Sequence, residues 1–257
     1  MKIGGSVITN KDGELAARTE VINRLAEEIA QAKLDNLILV HGGGSFGHPT
    51  AQKWGLKEGY KEPAQKLGFA ETHHVMTVLN GLVMDALVWH EIPAVSVAPS
   101  CGFLTENGRI KSSECTIVER MMKIGFTPVL YGDATIDDKL GFTVLSGDQL
   151  IAYLALKFNA SRIVIAVDTD GLYDADPKKN KNAKLLQHLS LNDLKALKLD
   201  VSTAKDVTGG MQGKLNELIP AVENGIPVSI VNGTKSSRVY KALVGEKVEG
   251  TIIEKAQ

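Results

Sequence analysis

Five short, near-continuous apolar runs recur along the chain: Leu37-Ile38-Leu39-Val40, Ala94-Val95-Ser96-Val97, Thr127-Pro128-Val129-Leu130, Ile163-Val164-Ile165-Ala166-Val167 and Val228-Ser229-Ile230-Val231. Each has strand length and lacks regular polar alternation, so both of its faces must be covered, as in a parallel sheet. Helical patterns separate them. Val21, Leu25, Ile29 and Ala32 share one helical face within residues 21–32, and a longer helix is expected from residue 64 to about residue 90. Strands alternating with helices predict an α/β fold, a three-layer αβα sandwich around a mainly parallel sheet. Residues 134–137 and 142–145 flank Asp138-Lys139-Leu140-Gly141 and read as a β-hairpin projecting from that sheet, with a second hairpin turning at Glu106-Asn107-Gly108. The lysine-rich stretch around Pro177 reads as a surface loop inside one continuous domain spanning residues 1–257.

With 29 Lys+Arg against 30 Asp+Glu, a formal charge of -1 excludes a polybasic binder of nucleic acid or of an anionic membrane. No charge-free stretch is long enough to span a bilayer, and the start of the chain does not read as a signal peptide. Cys101 and Cys115 are too few for a disulfide framework or a cysteine zinc site, so they are expected to be buried small hydrophobes in a reduced setting. His73, His74, His90 and His188 have no second ligand at metal spacing and are expected to be structural or solvent-facing.

Glycine is the compositional outlier at 25 residues, and it clusters. Residues 36–48, NLILVHGGGSFGH, form a strand, a glycine loop and a helix expected to begin near Phe46, the architecture that presents backbone N–H groups and a helix N-terminus to an anion. Gly42, Gly44 and Gly47 also satisfy a dinucleotide fingerprint, but the acidic residue ending a second strand is missing where Gly59-Tyr60-Lys61-Glu62-Pro63 lies, which weakens a dehydrogenase reading. Gly213-Lys214 is not a Walker A motif, since Thr208 replaces its first glycine and Leu215 its magnesium-binding hydroxyl. Three glycine loops nevertheless lie at the ends of separate elements, two of them carrying lysine: Gly4-Gly5-Ser6 with Lys2 and Lys11, the loop of residues 41–48 with its two histidines, and Gly209-Gly210 with Lys214. They are either three independent turns or the cationic wall of one polyphosphate site at the C-terminal edge of the sheet.

These motifs, in this order, resemble the amino acid kinase family, most closely its isopentenyl phosphate kinase branch. The resemblance rests on Lys2-Ile3-Gly4-Gly5-Ser6, His41-Gly42-Gly43-Gly44-Ser45-Phe46-Gly47-His48, Ser146-Gly147-Asp148, Asp168-Thr169-Asp170-Gly171-Leu172-Tyr173 with Asp176-Pro177, and Asp206-Val207-Thr208-Gly209-Gly210-Met211 with Lys214. His48 discriminates within the family, because members that phosphorylate carboxylates, carbamate or nucleoside monophosphates generally lack it, whereas fosfomycin kinases share it. The resemblance implies ATP-dependent conversion of isopentenyl phosphate to isopentenyl diphosphate, with Mg²⁺ held mainly by the nucleotide phosphates rather than by protein ligands. It also implies a cytoplasmic homodimer, with an acceptor lobe of about residues 1–160 and an ATP lobe of about residues 161–257.

By the same resemblance Lys2, Lys11, His48, Asp148 and Lys214 are the catalytic set, with Gly43, His48 and Gly147 on the acceptor. Lys2, Gly4, Gly5, Ser6, Gly44, Asp168, Tyr173, Asp176, Lys178, Gly209, Gly210 and Lys214 are the ATP set. The chemistry suits them: a phosphomonoester is already largely ionised near pH 7, its second pKa being about 6, so cations and N–H donors rather than a general base are required. A phosphate beside His48 would favour the imidazolium form. A hydrocarbon acceptor also needs an apolar wall, for which Phe69, His73, Met76, Val83 and Met84 on the long helix are candidates, the N-terminal ones lying nearest the glycine loop. That helix carries no Lys or Arg beyond Lys66, which favours the hydrocarbon over a fosfomycin kinase-like phosphonate acceptor. A non-catalytic nucleotide-binding protein on the same fold is a further alternative, against which the retained Lys2, Lys11 and Lys214 speak. Lys2 follows Met1 directly where family members carry several apolar residues, so a shortened first strand or a misassigned start is expected.

Overall fold

The structure is a computed structural model that describes residues 1–10, 13–175, 177, 180–197 and 210–255. Of the expected site residues, Lys11, Asp176, Lys178 and Gly209 lie outside the described residues. From the N-terminus the chain forms β1 (Lys2–Ile3), α1 (Gly5–Ile8), α2 (Thr19–Ala32), β2 (Leu39–His41), α3 (Gly44–Lys53), α4 (Gln65–Trp89) and β3 (Ala94–Ser96). Next come β4 (Phe103–Glu106), β5 (Arg109–Ser113), α5 (Thr116–Ile124), β6 (Thr127–Tyr131), β7 (Asp133–Asp137), β8 (Gly141–Leu145) and α6 (Gly147–Lys157). The remainder is β9 (Ile163–Val167), β10 (His188–Ser190), α7 (Leu191–Ala196), α8 (Gly210–Glu223), β11 (Val228–Asn232), α9 (Arg238–Val244) and β12 (Gly250–Glu254).

Among the described residues the main sheet has the order β10-β12-β11-β9-β1-β2-β6-β3, parallel throughout except where β12 runs antiparallel to β11. Strand β9 shows why its sequence is apolar on both faces. Val164 and Ala166 join the core under α2, α4 and α9, while Ile163, Ile165 and Val167 join the core under α6 and α8. These are the three layers that the alternation predicts. The expected helix at Phe46 begins two residues earlier, at Gly44, because Gly43 already has helical backbone angles, φ -83° and ψ -28°.

Both expected hairpins form, and they are one structure: β5-β4-β7-β8 is a second, four-stranded sheet in which β4 and β7 meet in parallel through Thr105 and Asp137. Asn107 and Gly108 both have positive φ, 50° and 76°, as a two-residue hairpin turn requires. The Asp137 carboxylate ties the two turns together by accepting from the N–H groups of Asn107, Gly108, Lys139 and Leu140 at 2.8–3.1 Å. This sheet packs on the main body through Phe142 and Ala134 against Ala51, Leu56, Trp54 and Phe69. Cys115 is buried as expected, but Cys101 is exposed, because it ends a short turn of residues 99–101 at the surface rather than entering a core. No helix among the described residues is long and apolar enough to cross a membrane.

Candidate active site

Six parallel strands of the main sheet end at one edge, and five of them run into a glycine or aspartate: β1 into Gly4, β2 into Gly42, β6 into Gly132, β9 into Asp168 and β11 into Gly233. Gly4 N–H bonds the Ala166 carbonyl at 2.8 Å and Gly42 N–H bonds the Ile3 carbonyl at 2.9 Å, so the sheet ladder continues into the loops. The first two glycine clusters then touch backbone to backbone. A Cβ on Gly5 would stand 2.1 Å from the Gly44 nitrogen, and Gly44 itself has φ +49°, so neither position accepts a side chain without displacement. Thr9 clasps the seam: its hydroxyl donates to the Gly5 carbonyl at 2.8 Å and accepts from Ser45 N–H at 3.0 Å. Nothing in the sequence around Thr9 marks this role.

Beside the seam lies a cleft of about 560 Å³, its open mouth included, into which the N-terminal ends of α3 and α6 and the first turns of α8 converge. One part of its lining is polar: Lys2, Gly43, His48, Gly147, Asp148 and Lys214. Asp148 joins the two lysines, with Oδ1 2.7 Å from Lys2 Nζ and Oδ2 3.0 Å from Lys214 Nζ. Burial pushes the Asp148 carboxyl up, but the charges and hydrogen bonds of Lys2 and Lys214 outweigh it and hold the group well below the usual carboxylate range. Lys2 is only 2% exposed, so its ammonium is desolvated and committed to this corner. Gly147 permits the close packing here, since a Cβ on it would press the His41 carbonyl at 3.2 Å and come within 3.6 Å of Lys2 Cε. Apolar residues share the lining: Ala51, Val144, Leu145 and Met76, whose sulfur lies against Gly43 and Gly47. Met76 is the candidate from the long helix that reaches the cleft, joined by Thr72. Phe69 packs instead with Phe142, Val83 and Met84 join the core beneath α2, and His73 bonds the buried Asp133 at 3.0 Å.

A second polar group lies at the ends of β9 and β11. Ser6 donates to Asp168 at 3.0 Å, and Asp170 accepts from Asn232 at 3.0 Å and pairs with Lys235 at 2.8 Å, whose hydrogen bond lowers the Asp170 carboxyl. Tyr173 follows in a bridge with Leu185, and partial burial raises its phenol. Asp168, Tyr173, Gly4, Ser6 and Gly44 are therefore near the same sheet edge but off the lining of the first cleft. Gly210 is the first residue of α8. Sequence reasoning missed Asn232 and Lys235, although the polar loop after β11 follows a buried strand at the ligand-binding edge. It also missed Ser146, the N-cap of α6, whose side chain accepts from Gln149 N–H.

The family model for the amino acid kinase family matches residues 1–232. The chain belongs to the amino acid kinase family. It is 40% identical to the isopentenyl phosphate kinase of Methanothermobacter thermautotrophicus, over 98% of this chain and 97% of that one. It is 36% identical to the isopentenyl phosphate kinase of Methanocaldococcus jannaschii, over 99% of this chain and 97% of that one. Its backbone superposes on a crystallographic isopentenyl phosphate kinase with a TM-score of 0.87 at 36% identity, covering 98% of each chain. As a member of this family the chain is a phosphotransferase. Among the described residues, no three His, Cys, Asp or Glu side chains come together as a metal cluster.

Proposed function

We propose that this chain transfers the γ-phosphoryl group of ATP to isopentenyl phosphate, giving isopentenyl diphosphate and ADP. The observation that carries the reading is the mixed lining of the cleft: a lysine–aspartate–lysine cluster with His48 and Gly43, together with apolar Ala51, Met76, Val144 and Leu145. That combination suits an acceptor with an anionic head and a short hydrocarbon tail. A phosphonate bearing a polar epoxide would leave the apolar lining unused, so the hydrocarbon acceptor is preferred to a fosfomycin-like one.

In this reading an acceptor phosphate oxygen attacks the γ-phosphorus. The new P–O bond forms as the bond to the ADP oxygen breaks, and no proton need be removed from the ionised nucleophile. The obstacle is repulsion between two anions. Lys2 and Lys214 offset the charge on the phosphoryl group in flight, Asp148 holds both ammoniums on one side of it, and Lys11 adds transition-state charge. His48 and the backbone of Gly43 and Gly147 hold the acceptor phosphate. Gly4, Gly5, Ser6, Gly44, Asp168, Tyr173, Asp176, Lys178, Gly209 and Gly210 surround the nucleotide. About residues 1–160 thus serve the acceptor and about residues 161–257 the nucleotide, with the N-terminal glycine loop reaching across. Mg²⁺ would be held mainly by the nucleotide phosphates and would supply charge neutralisation there. The acidic side chains nearby already bond Lys2, Lys214, Ser6, Asn232 or Lys235, which fits a metal carried by the nucleotide rather than by a protein cage.

The same reading includes a cytoplasmic homodimer. The unpaired thiols Cys101 and Cys115 suit a reducing compartment, and exposed Val78 and Trp89, on one face of α4, suit a covered surface. The deciding experiment incubates the protein with ATP and Mg²⁺ and separately with isopentenyl phosphate, dimethylallyl phosphate or fosfomycin, following ADP and product. Turnover with isopentenyl phosphate is expected, and absence of turnover with every acceptor would overturn the proposal.

A further inference from the structure

His41 ends β2, one residue before the glycine loop, and is 1% exposed. Its ring stacks on Tyr131 with centroids 5.4 Å apart and planes at 23°, which fixes its orientation. The partner of Nδ1 is the Gly42 carbonyl at 3.1 Å. A carbonyl only accepts, so Nδ1 must carry the proton. Burial lowers the His41 pKa to about 4, against the raising effect of the Gly42 bond and together with the nearby Lys2 charge, so the ring is neutral near pH 7 and Nε2 keeps a lone pair. The Asn80 amide nitrogen lies 3.2 Å from Nε2 and must be the donor there. The Asn80 oxygen then faces Ser96, whose hydroxyl donates to it at 2.5 Å. Every choice of donor follows from the single fact that Gly42 offers an oxygen.

Asn80 is buried on α4, where an amide is costly unless bonded, and neither it nor Ser96 lines the cleft. The chain of bonds points one way, from Ser96 through Asn80 and His41 to Gly42. The Gly42 carbonyl shares its peptide plane with Gly43 N–H. Gly43 lines the cleft at the N-cap of α3, and its N–H has no protein acceptor among the described residues.

We infer that Ser96, Asn80 and His41 are positioning residues, a one-directional hydrogen-bond relay that fixes the Gly42–Gly43 peptide plane and strengthens Gly43 N–H as a donor to a phosphate in the cleft. Serial hydrogen bonds polarise one another, so each donor upstream draws electron density toward the Gly42 oxygen and leaves the Gly43 proton more positive. The inference rests on the reading of the cleft as a phosphate site, but its first readout does not need turnover.

The test uses the full chain labelled with ¹⁵N. Wild type is expected to show His41 as the Nδ1–H tautomer, unchanged down to about pH 5. Asn80→Asp replaces the donor with an acceptor of the same shape, so Nε2 must gain a proton, either from Nδ1 or by forming the imidazolium. The His41 ring nitrogens and the Gly43 amide resonance should both shift, and KM for isopentenyl phosphate should move with them by up to about tenfold, upward where Nδ1 loses its proton and downward where the imidazolium keeps it. Ser96 is exposed, so Ser96→Ala should keep the wild-type Tm while moving the Gly43 amide and raising acceptor KM by about two- to threefold. If Asn80→Asp does not fold, Ser96→Ala alone decides. An Nε2–H tautomer in wild type, or a Gly43 amide unmoved in the folded variants, would overturn the relay. Absence of turnover by wild type would instead overturn the proposed function, leaving the relay to be judged by the tautomer and the amide.

Discussion

Asp148 is the residue whose removal separates stability from chemistry least cleanly, because one carboxylate bonds two lysines in a buried corner. Asp148→Asn keeps the shape and removes the charge, leaving Lys2 and Lys214 facing each other without it. Breaking a buried pair of this kind costs about 3 to 5 kcal/mol, and the partly exposed Lys214 can relax toward water, so a loss near about 3 kcal/mol is expected by denaturant titration. Turnover should fall at least about a hundredfold, since misplacing a catalytic group by about 1 Å has that effect. The pH dependence has a definite sign. The folded carboxyl is held below its unfolded pKa of about 3.9, so its contribution is complete above that value and is lost as pH falls below about 4. Wild type should therefore lose stability between pH 5 and pH 2 more steeply than Asp148→Asn, and parallel curves would deny the pair its role.

At the scale of an element, α4 carries two glycines that intrinsic propensity treats alike and the structure does not. Replacing an interior helical Gly by Ala favours the helix by about 0.5 to 1 kcal/mol. Gly81 has open space where a Cβ would point, so Gly81→Ala should gain about that amount. At Gly68 a Cβ would lie 2.1 Å from Trp54 Cγ and 2.4 Å from its Cβ, and Trp54 is held by its indole bond to Glu71 at 2.7 Å. Overpacking of about 1 to 3 kcal/mol then exceeds the propensity gain, and Gly68→Ala should lower Tm. A rise in Tm at both positions would show that Trp54 yields freely. This contrast marks the limit of what the sequence discloses. Apolar runs announced the parallel strands because burial on both faces leaves a pattern, and Asn107-Gly108 announced a turn because few residues accept its backbone angles. The three-residue strand β10 and the antiparallel β12 were not legible, being short and set by pairing at the sheet margin. In the site, the motifs brought Lys2, Asp148 and Lys214 to notice separately, but no spacing could state that one carboxylate bonds both lysines. Thr9, Asn80 and Ser96 left no signal at all, since a lone polar residue has no period.

Across the whole molecule, a formal charge of -1 conceals a cleft whose chemistry depends on local cations, and the order of the sheet explains how the two coexist. The edge where six parallel strands end gathers Lys2 and Lys214, from distant parts of the chain, around the buried Asp148. If the acceptor and ATP occupy different parts of that edge, their binding should be separable by one substitution. A ligand at a hundred times its Kd stabilises the native state by about 2.7 kcal/mol, worth roughly 5 to 10 °C in Tm for a chain of this size. His48 and Gly43 line the cleft from α3 and its N-cap, whereas Asp168 and Tyr173 do not line it. Losing its hydrogen bond to a charged phosphate removes about 1.5 to 3 kcal/mol of affinity, or about ten- to a hundredfold. At the same isopentenyl phosphate concentration, His48→Ala should then retain only about 0.4 to 1.4 kcal/mol of the stabilisation. The shift produced by ATP should be unchanged. Thermal unfolding with each ligand alone measures both quantities without turnover. A His48→Ala protein that loses both shifts equally would mean that the two ligands share one subsite, and one that keeps both would remove His48 from the acceptor's phosphate.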